Sequence, residues 1–205
     1  MKLHTITKLA VPLLTSLLAF GASYANAKSP EDHTTVLRGR LGYLSIHSDL
    51  KSENPSVKAN QKFKDGFVGE VGLGYFLNRY IAVEFDAGLE YAEFKNNAGN
   101  SKGIYSVPLQ TLLQLHVPIH STVRPYIGGG YVYRLVNNNM NNVKIENAGG
   151  AVAQLGVDFF PSESIGFNID AKYNIALKNK ITDNNQFFHN KSSVVNVTVG
   201  VVIPF

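Results

Sequence analysis

From Thr34 onward, apolar residues recur at every second position. That is the period of an extended strand, whose successive side chains face opposite ways. The pattern is clearest at the end of the chain. Val195, Val197, Val199, Val201, Ile203 and Phe205 form one face against Asn196, Thr198 and Gly200, with Val194 and Val202 as apolar exceptions. Ile81, Val83, Phe85, Ala87, Leu89 and Tyr91 form a second such face, opposed by Ala82, Glu84, Asp86, Gly88 and Glu90. Ile165, Phe167, Ile169, Ala171, Tyr173 and Ile175 form a third, against Gly166, Asn168, Asp170, Lys172 and Asn174. Strands this long exceed the roughly 5–6 residues usual in soluble sheets and suit a tilted membrane crossing.

Five further segments alternate less cleanly: 36–47, 67–75, 105–116, 124–135 and 151–159. Their predicted outward faces include Leu37, Leu41 and Tyr43, then Phe67, Val71 and Leu73, then Leu109, Leu113 and Leu115. Ile127, Tyr131 and Tyr133 follow, then Leu155, Val157 and Phe159. Eight strands are therefore expected. Alternation alone would serve a soluble sandwich equally well. The connectors separate the two. Segments 48–65, 95–103, 136–148 and 179–191 are long and polar, and the short links 77–79, 117–123 and 161–164 fall between them. Four long loops alternating with three short turns is the order required of an up-and-down barrel with both termini on the short-turn side. The fold class expected is all-β: an eight-stranded antiparallel up-and-down transmembrane β-barrel. Tyr75, Tyr80, Phe159 and Phe205 mark the short-turn ends of the bands, and Tyr91, Phe94, Tyr133 and Tyr173 the other ends. Aromatic rings favour both membrane interfaces in this way.

Composition changes the picture in few places. No apolar run outside the N-terminus approaches the ~20 residues of a membrane helix. The 205 residues include no cysteine, which excludes disulfides and thiolate sites. At the N-terminus, Lys2 and Lys8 precede the apolar run 9–20 and the small-x-small triplet Ala25-Asn26-Ala27, the layout of a cleaved secretory signal. The alternative is an uncleaved anchor. Two regions are thus expected: a signal over 1–27 and a barrel over 28–205. N-terminal sequencing of the membrane-extracted protein should begin at Lys28. A product retaining 9–20 would defeat the assignment. The signal carries two of the 19 basic residues and none of the 15 acidic ones, so the remainder has a net charge of +2. That balance argues against nucleic acid as a partner.

The predicted inward faces carry Arg38, Arg40, Arg134 and Lys172 against Glu70, Glu84, Glu90, Asp86, Asp158 and Asp170. These could line a polar conduit or pair into a plug. Eight strands enclose little more than their own side chains, and buried charges must be paired, which favours the plug. Val68, Leu112, Val132 and Val152 interrupt the polar faces and are candidates for an apolar section of bore, or simple packing. No enzyme is expected. His47-Ser48 and His120-Ser121 are sequence neighbours, so in extended chain each pair faces opposite ways, and no His-x-Ser occurs. His116 and His120 have helical metal-site spacing on a strand end and turn, where it loses its meaning. No metal or cofactor is expected. The run 137–142, almost entirely Asn, reads as an external loop, and Gly128–Gly130 as a place of strand curvature or close packing.

The segments 37–49 (LRGRLGYLSIHSD), 75–84 (YFLNRYIAVE), 123–133 (VRPYIGGGYVY) and 151–160 (AVAQLGVDFF) resemble the OmpW family of outer-membrane proteins, and 105–115 occupies the place of its Pro-containing fourth strand. The resemblance implies location in a Gram-negative outer membrane. It also implies a narrow, largely apolar channel serving small hydrophobic molecules. The partners expected are therefore outer-membrane lipid, such molecules, and the barrel-insertion machinery, which would read the alternating C-terminus and Phe205. The alternative relatives are barrels of OmpA or surface-antigen type, which serve envelope structure and adhesion.

Overall fold

The computed structural model describes residues 32–52, 62–95, 101–119, 122–137, 143–162, 164–183 and 186–205. Ala25, Ala27 and the rest of the predicted signal lie outside them, as do His120, Ser121 and residues 138–142. Among the described residues nine strands are present: β1 (Thr35–Ser52), β2 (Lys62–Asn78), β3 (Ile81–Lys95), β4 (Ser101–His116), β5 (Val123–Asn137), β6 (Val143–Ile145), β7 (Ala148–Phe159), β8 (Gly166–Asp183) and β9 (Gln186–Pro204). All pairings are antiparallel. Omitting β6, the eight long strands pair in sequence order, and β9 closes the ring on β1. This is the predicted eight-stranded barrel. The three-residue β6 is an addition that pairs only with the far end of β8.

The strands rise further than the sequence suggests. Where 48–65 and 179–191 read as loops, β1 runs to Ser52, β2 begins at Lys62, and β8 and β9 are separated by only 184–185. Above a membrane both faces of a hairpin meet water, so polar residues carry a strand there without any alternation. β1 parts from β2 after Leu44↔Gly66 but stays paired with β9 as far as Ser52↔Phe188. At that end β6, β8, β9 and β1 therefore form one continuous sheet. We call it the hairpin end, and the opposite end, which holds Thr35 and Phe205, the turn end.

The register fixes the geometry of closure. From Gly42, paired residues lead one way through Val68 and Glu90 to Ser106 on β4. The other way they lead through Thr198, Asp170, Gly156 and Tyr126 to His116. The two paths reach β4 ten residues apart, at 106 and 116. Eight strands with this stagger make a tilted, narrow tube that side chains can fill.

Outward positions of every long strand carry exposed apolar side chains, among them Leu41 and Phe67 at 71% and Phe85 at 57%. Such a belt is stable only against hydrocarbon. Leu37 shares the outward parity yet is covered, at 3%. The terminal aromatics stand as expected at both rims; the side chain of Phe94 lies outside the described residues. Close approach between strands explains two glycines. A Cβ at Gly130 would lie 1.9 Å from the Thr111 carbonyl oxygen, and one at Gly42 2.0 Å from that of Val197. Between β3 and β4 the ladder lapses at Gly88 and Leu89 opposite Val107 and Pro108, then resumes in the same register. Pro108 brings no N–H to a ladder there.

Candidate functional site: the barrel interior

Alternation sends the even-numbered residues of each long strand into the bore, and three zones result. At the turn end Val36, Phe76, Ala82, Phe160 and Val202 form a buried apolar floor. His116 closes it, its ring 4.7 Å from Phe76 and 4.8 Å from Tyr126. It thus lines the bore at the end of β4. Arg124, also buried, donates to the Arg79 carbonyl at 2.6 Å and lies over the Phe76 ring.

Above the floor lies an ionic network. Arg38 pairs with Glu84 and donates to Asp158 at 2.8 Å. Arg40 donates to Glu70 at 2.9 Å, Glu84 at 2.8 Å and, more weakly, Asp86 at 3.4 Å. Lys172 bridges Glu70 and Asp86, each at 2.6 Å. All of these side chains are essentially inaccessible. Neutral groups carry the network onward. Asn168 joins Arg40, Asp158 and Tyr126. Tyr126 and Gln154 both donate to Asp170, and Gln114 links Gln154 to His116. Every barrel strand except β9 contributes.

Eight of the ten charged residues singled out in the sequence meet here. Glu90 and Arg134 do not. They form a separate bidentate pair nearer the hairpin end, at 2.8 and 3.0 Å, with Ser106 donating to Glu90 at 2.7 Å. Sequence parity places both inward, but their height depends on the stagger of closure. The residues missed, His116, Gln114, Tyr126, Gln154, Asn168 and Arg124, obey the same parity. A search confined to charges passes over most of them, and Tyr is at home on either face of a membrane strand.

The third zone is apolar. Val68, Leu112, Val132 and Val152 come together with Leu44, Ala92, Ala148 and Val194 in one buried cluster. Above it, toward the hairpin end, a pocket of about 50 Å³ is walled by Leu44, Ile46, Ala92, Ile104 and Val194, with Glu90 and Arg134 among its polar residues. That is room for a few water molecules. The interior is therefore a cup above a pair-filled waist. The lapse at Gly88, Leu89, Val107 and Pro108 lies at cup level, since Glu90 follows directly on β3 and Pro108 pairs with Arg134 on β5. Among the described residues no group of three or more His, Asp or Glu is arranged to hold a metal. His47 and Ser48 are consecutive in the extended β1.

Over residues 13–202 the chain matches the family described as outer membrane protein beta-barrel domain. It is 28% identical over 205 residues to a protein of Rickettsia conorii named as an outer membrane protein, covering 83% of this chain and 84% of that one. In fold it is similar to the outer membrane protein OprG of Pseudomonas aeruginosa, with a TM-score of 0.69 and 18% identity over 88% of this chain and 99% of that one. The outer membrane protein AlkL, determined in lipid bilayers, gives 0.62 and 19% over 87% and 94%. Both are OmpW-like, in line with the resemblance carried by the sequence.

Proposed function

The chain belongs to the family of outer membrane protein β-barrel domains, and from that membership we propose that it is a passive route for small hydrophobic molecules, without catalysis. With both termini on the periplasmic side, the cup faces outward. The observation that carries this reading is the change of bore character partway along its length. An apolar cup ends on an ion-paired waist, so nothing of solute size continues along the axis. The lapsed ladder beside the cup offers a way out sideways, into lipid, where a hydrophobic molecule is stable and a sugar is not. The β2–β3, β7–β8 and β8–β9 ladders are interrupted too, at Phe63/Gly66, Gly149/Ala151 and Asn174/Leu177, but there the register shifts, as at a bulge. Between β3 and β4, by contrast, both strands lose pairing across two residues in an unchanged register. Unpaired backbone in hydrocarbon is costly. Delivery to the membrane would use the insertion machinery, with the last strand and Phe205 as its signal.

The lapse can be stapled. The chain has no cysteine, so Leu89→Cys with Val107→Cys introduces the only thiols, on the same outward face and opposite each other by register. Reduced, the variant should pass an apolar probe into proteoliposomes as the parent does. Oxidised, its flux should fall to the protein-free level, with sugar flux low throughout. Undiminished flux after oxidation, or sugar crossing faster than the apolar probe, would overturn the proposal. No flux of either probe in the parent would favour a structural or adhesive barrel.

A further inference from the structure

Four inward side chains midway along the bore carry polar atoms without hydrogen-bond partners. They are both amide atoms of Gln110 and of Asn174, the carbonyl oxygen of Asn196 and the hydroxyl of Thr198. None is more than 3% exposed. They make no hydrogen bond to the ionic network but stand at its border with the apolar cluster. On one side Gln110 is in register with Asp86, Asn196 with Lys172 and Thr198 with Asp170. On the other, apolar residues flank all but Thr198. Gln110 is in register with Val132. Asn174 lies between Val152 and Val194, and Asn196 opposite Leu44. Those four apolar residues belong to the cluster beneath the cup. Leu44 and Val194 also wall the pocket itself. A single layer of side chains therefore separates the pocket from the amides. Gln110 on β4 faces β9, which carries Asn196 and Thr198, from the opposite side of the ring.

Buried amides in folded proteins are almost always paired, and a set left open beneath an apolar cluster is a specification for what should fill it. The open atoms of these four side chains are neutral and include both donors and acceptors, Asn196 offering only its carbonyl because its NH2 donates to Glu90 at 3.4 Å. The charged residues Arg38, Glu70 and Asp170 also leave one atom each open, but within the ionic network. The charged residues on the pocket wall, Glu90 and Arg134, are spent on each other in a bidentate pair, so an ionic head would have to break that pair to be held. We infer that the cup binds amphiphiles with an uncharged head that both donates and accepts hydrogen bonds, such as an alcohol or primary amide. The head sits on Gln110, Asn174 and Asn196, and the tail lies against Leu44, Val68 and Val194. This rests on the proposed route for hydrophobic molecules and narrows it: neither a bare hydrocarbon nor a carboxylate fits as well. Leu44 and Val194 swing aside to admit the head.

The test uses the full protein in lipid nanodiscs, titrated with octan-1-ol, octane and octanoate. NMR follows the side-chain amides of Gln110, Asn174 and Asn196 and the methyls of Leu44 and Val194. Octanol should shift the amides saturably, and octane and octanoate should not. In Gln110→Leu with Asn174→Leu, octanol affinity read on the methyls should fall about tenfold, the scale of one or two neutral hydrogen bonds, to that of octane. Should the double variant fail to insert, the wild-type comparison of the three probes decides alone. Equal binding of octanol and octane, or amides that contact ordered water only at saturating octanol, would overturn the inference while leaving the hydrophobic route intact. If no probe moves the Leu44 or Val194 methyls, the route itself fails.

Discussion

Replacing Arg40 with methionine should destabilise the barrel by about 3–5 kcal/mol. Arg40 sits where three carboxylates converge, Glu70, Glu84 and Asp86, and its Nε also donates to Asn168 at 2.8 Å. Methionine fills much of the volume but supplies no charge. Lys172 then remains against Glu70 and Asp86, and Arg38 against Glu84, each pair carrying more negative charge than before. Attraction within a buried pair roughly repays the desolvation of its members; removing one member leaves the other's desolvation unpaid. The check is a urea titration of folding into lipid vesicles. A second variant separates loss of charge from loss of shape: Arg40→Met with Glu84→Gln, which withdraws an acid along with the base, should recover about half of the cost. A single variant within about 1 kcal/mol of the parent would show that the waist tolerates unpaired acids and is not held by ion pairing.

Phe85→Arg should cost about 2–4 kcal/mol. Phe85 lies mid-belt on β3, 57% exposed, between Leu73 on β2 and Thr111 on β4. The exposed side of this ring faces outward, toward lipid. An arginine there must either enter hydrocarbon or bend toward a rim. Tyr91→Arg, on the same strand face but near the hairpin end, should cost only about 0–1 kcal/mol, because the guanidinium reaches the interface. Equal costs at the two positions, measured by the same titration, would remove the depth dependence that defines a membrane-facing surface.

The eight strands were legible because lipid outside and a charged or polar bore inside impose a two-residue period on each crossing. The period fails where that contrast ends. Ser48–Ser52 and the stretch around 179–183 read as loops because, above the membrane, neither face of a strand is required to be apolar. The β1–β9 pairing that continues to Ser52↔Phe188 was therefore invisible. Within the bore, parity placed Arg38, Glu84 and Lys172 inward without any knowledge of their partners. What parity cannot supply is height. That Arg40 on β1 meets Asn168 on β8 and Glu84 on β3 at one level, while Glu90 on β3 meets Arg134 on β5 at another, follows from the ten-residue offset at closure, which resides in pairing and not in any one strand. Neutral inward groups such as Gln114, Gln154 and Asn168 carry no alarm in a sequence, yet they make the connections that turn separate ion pairs into one network.

The same offset sets limits on inheritance. A chain that closes on itself shares one reading frame among all its strands. Delete one residue from the middle of β3, and either its seam with β4 opens or every residue beyond the lesion turns inside out, with Glu90 delivered to hydrocarbon and Leu89 to the bore. Deleting two restores the faces but moves Glu90 one rung from Arg134. Changes in length are therefore admissible only where the frame is not shared, between strands. At the hairpin end these places lie between Ser52 and Lys62, Lys95 and Ser101, Asn137 and Val143, and Asp183 and Gln186, and at the turn end between Asn78 and Ile81, His116 and Val123, and Phe159 and Gly166. Lineages descending from such a barrel can lengthen and recut the connectors, while the strands between them can change their letters but not their count.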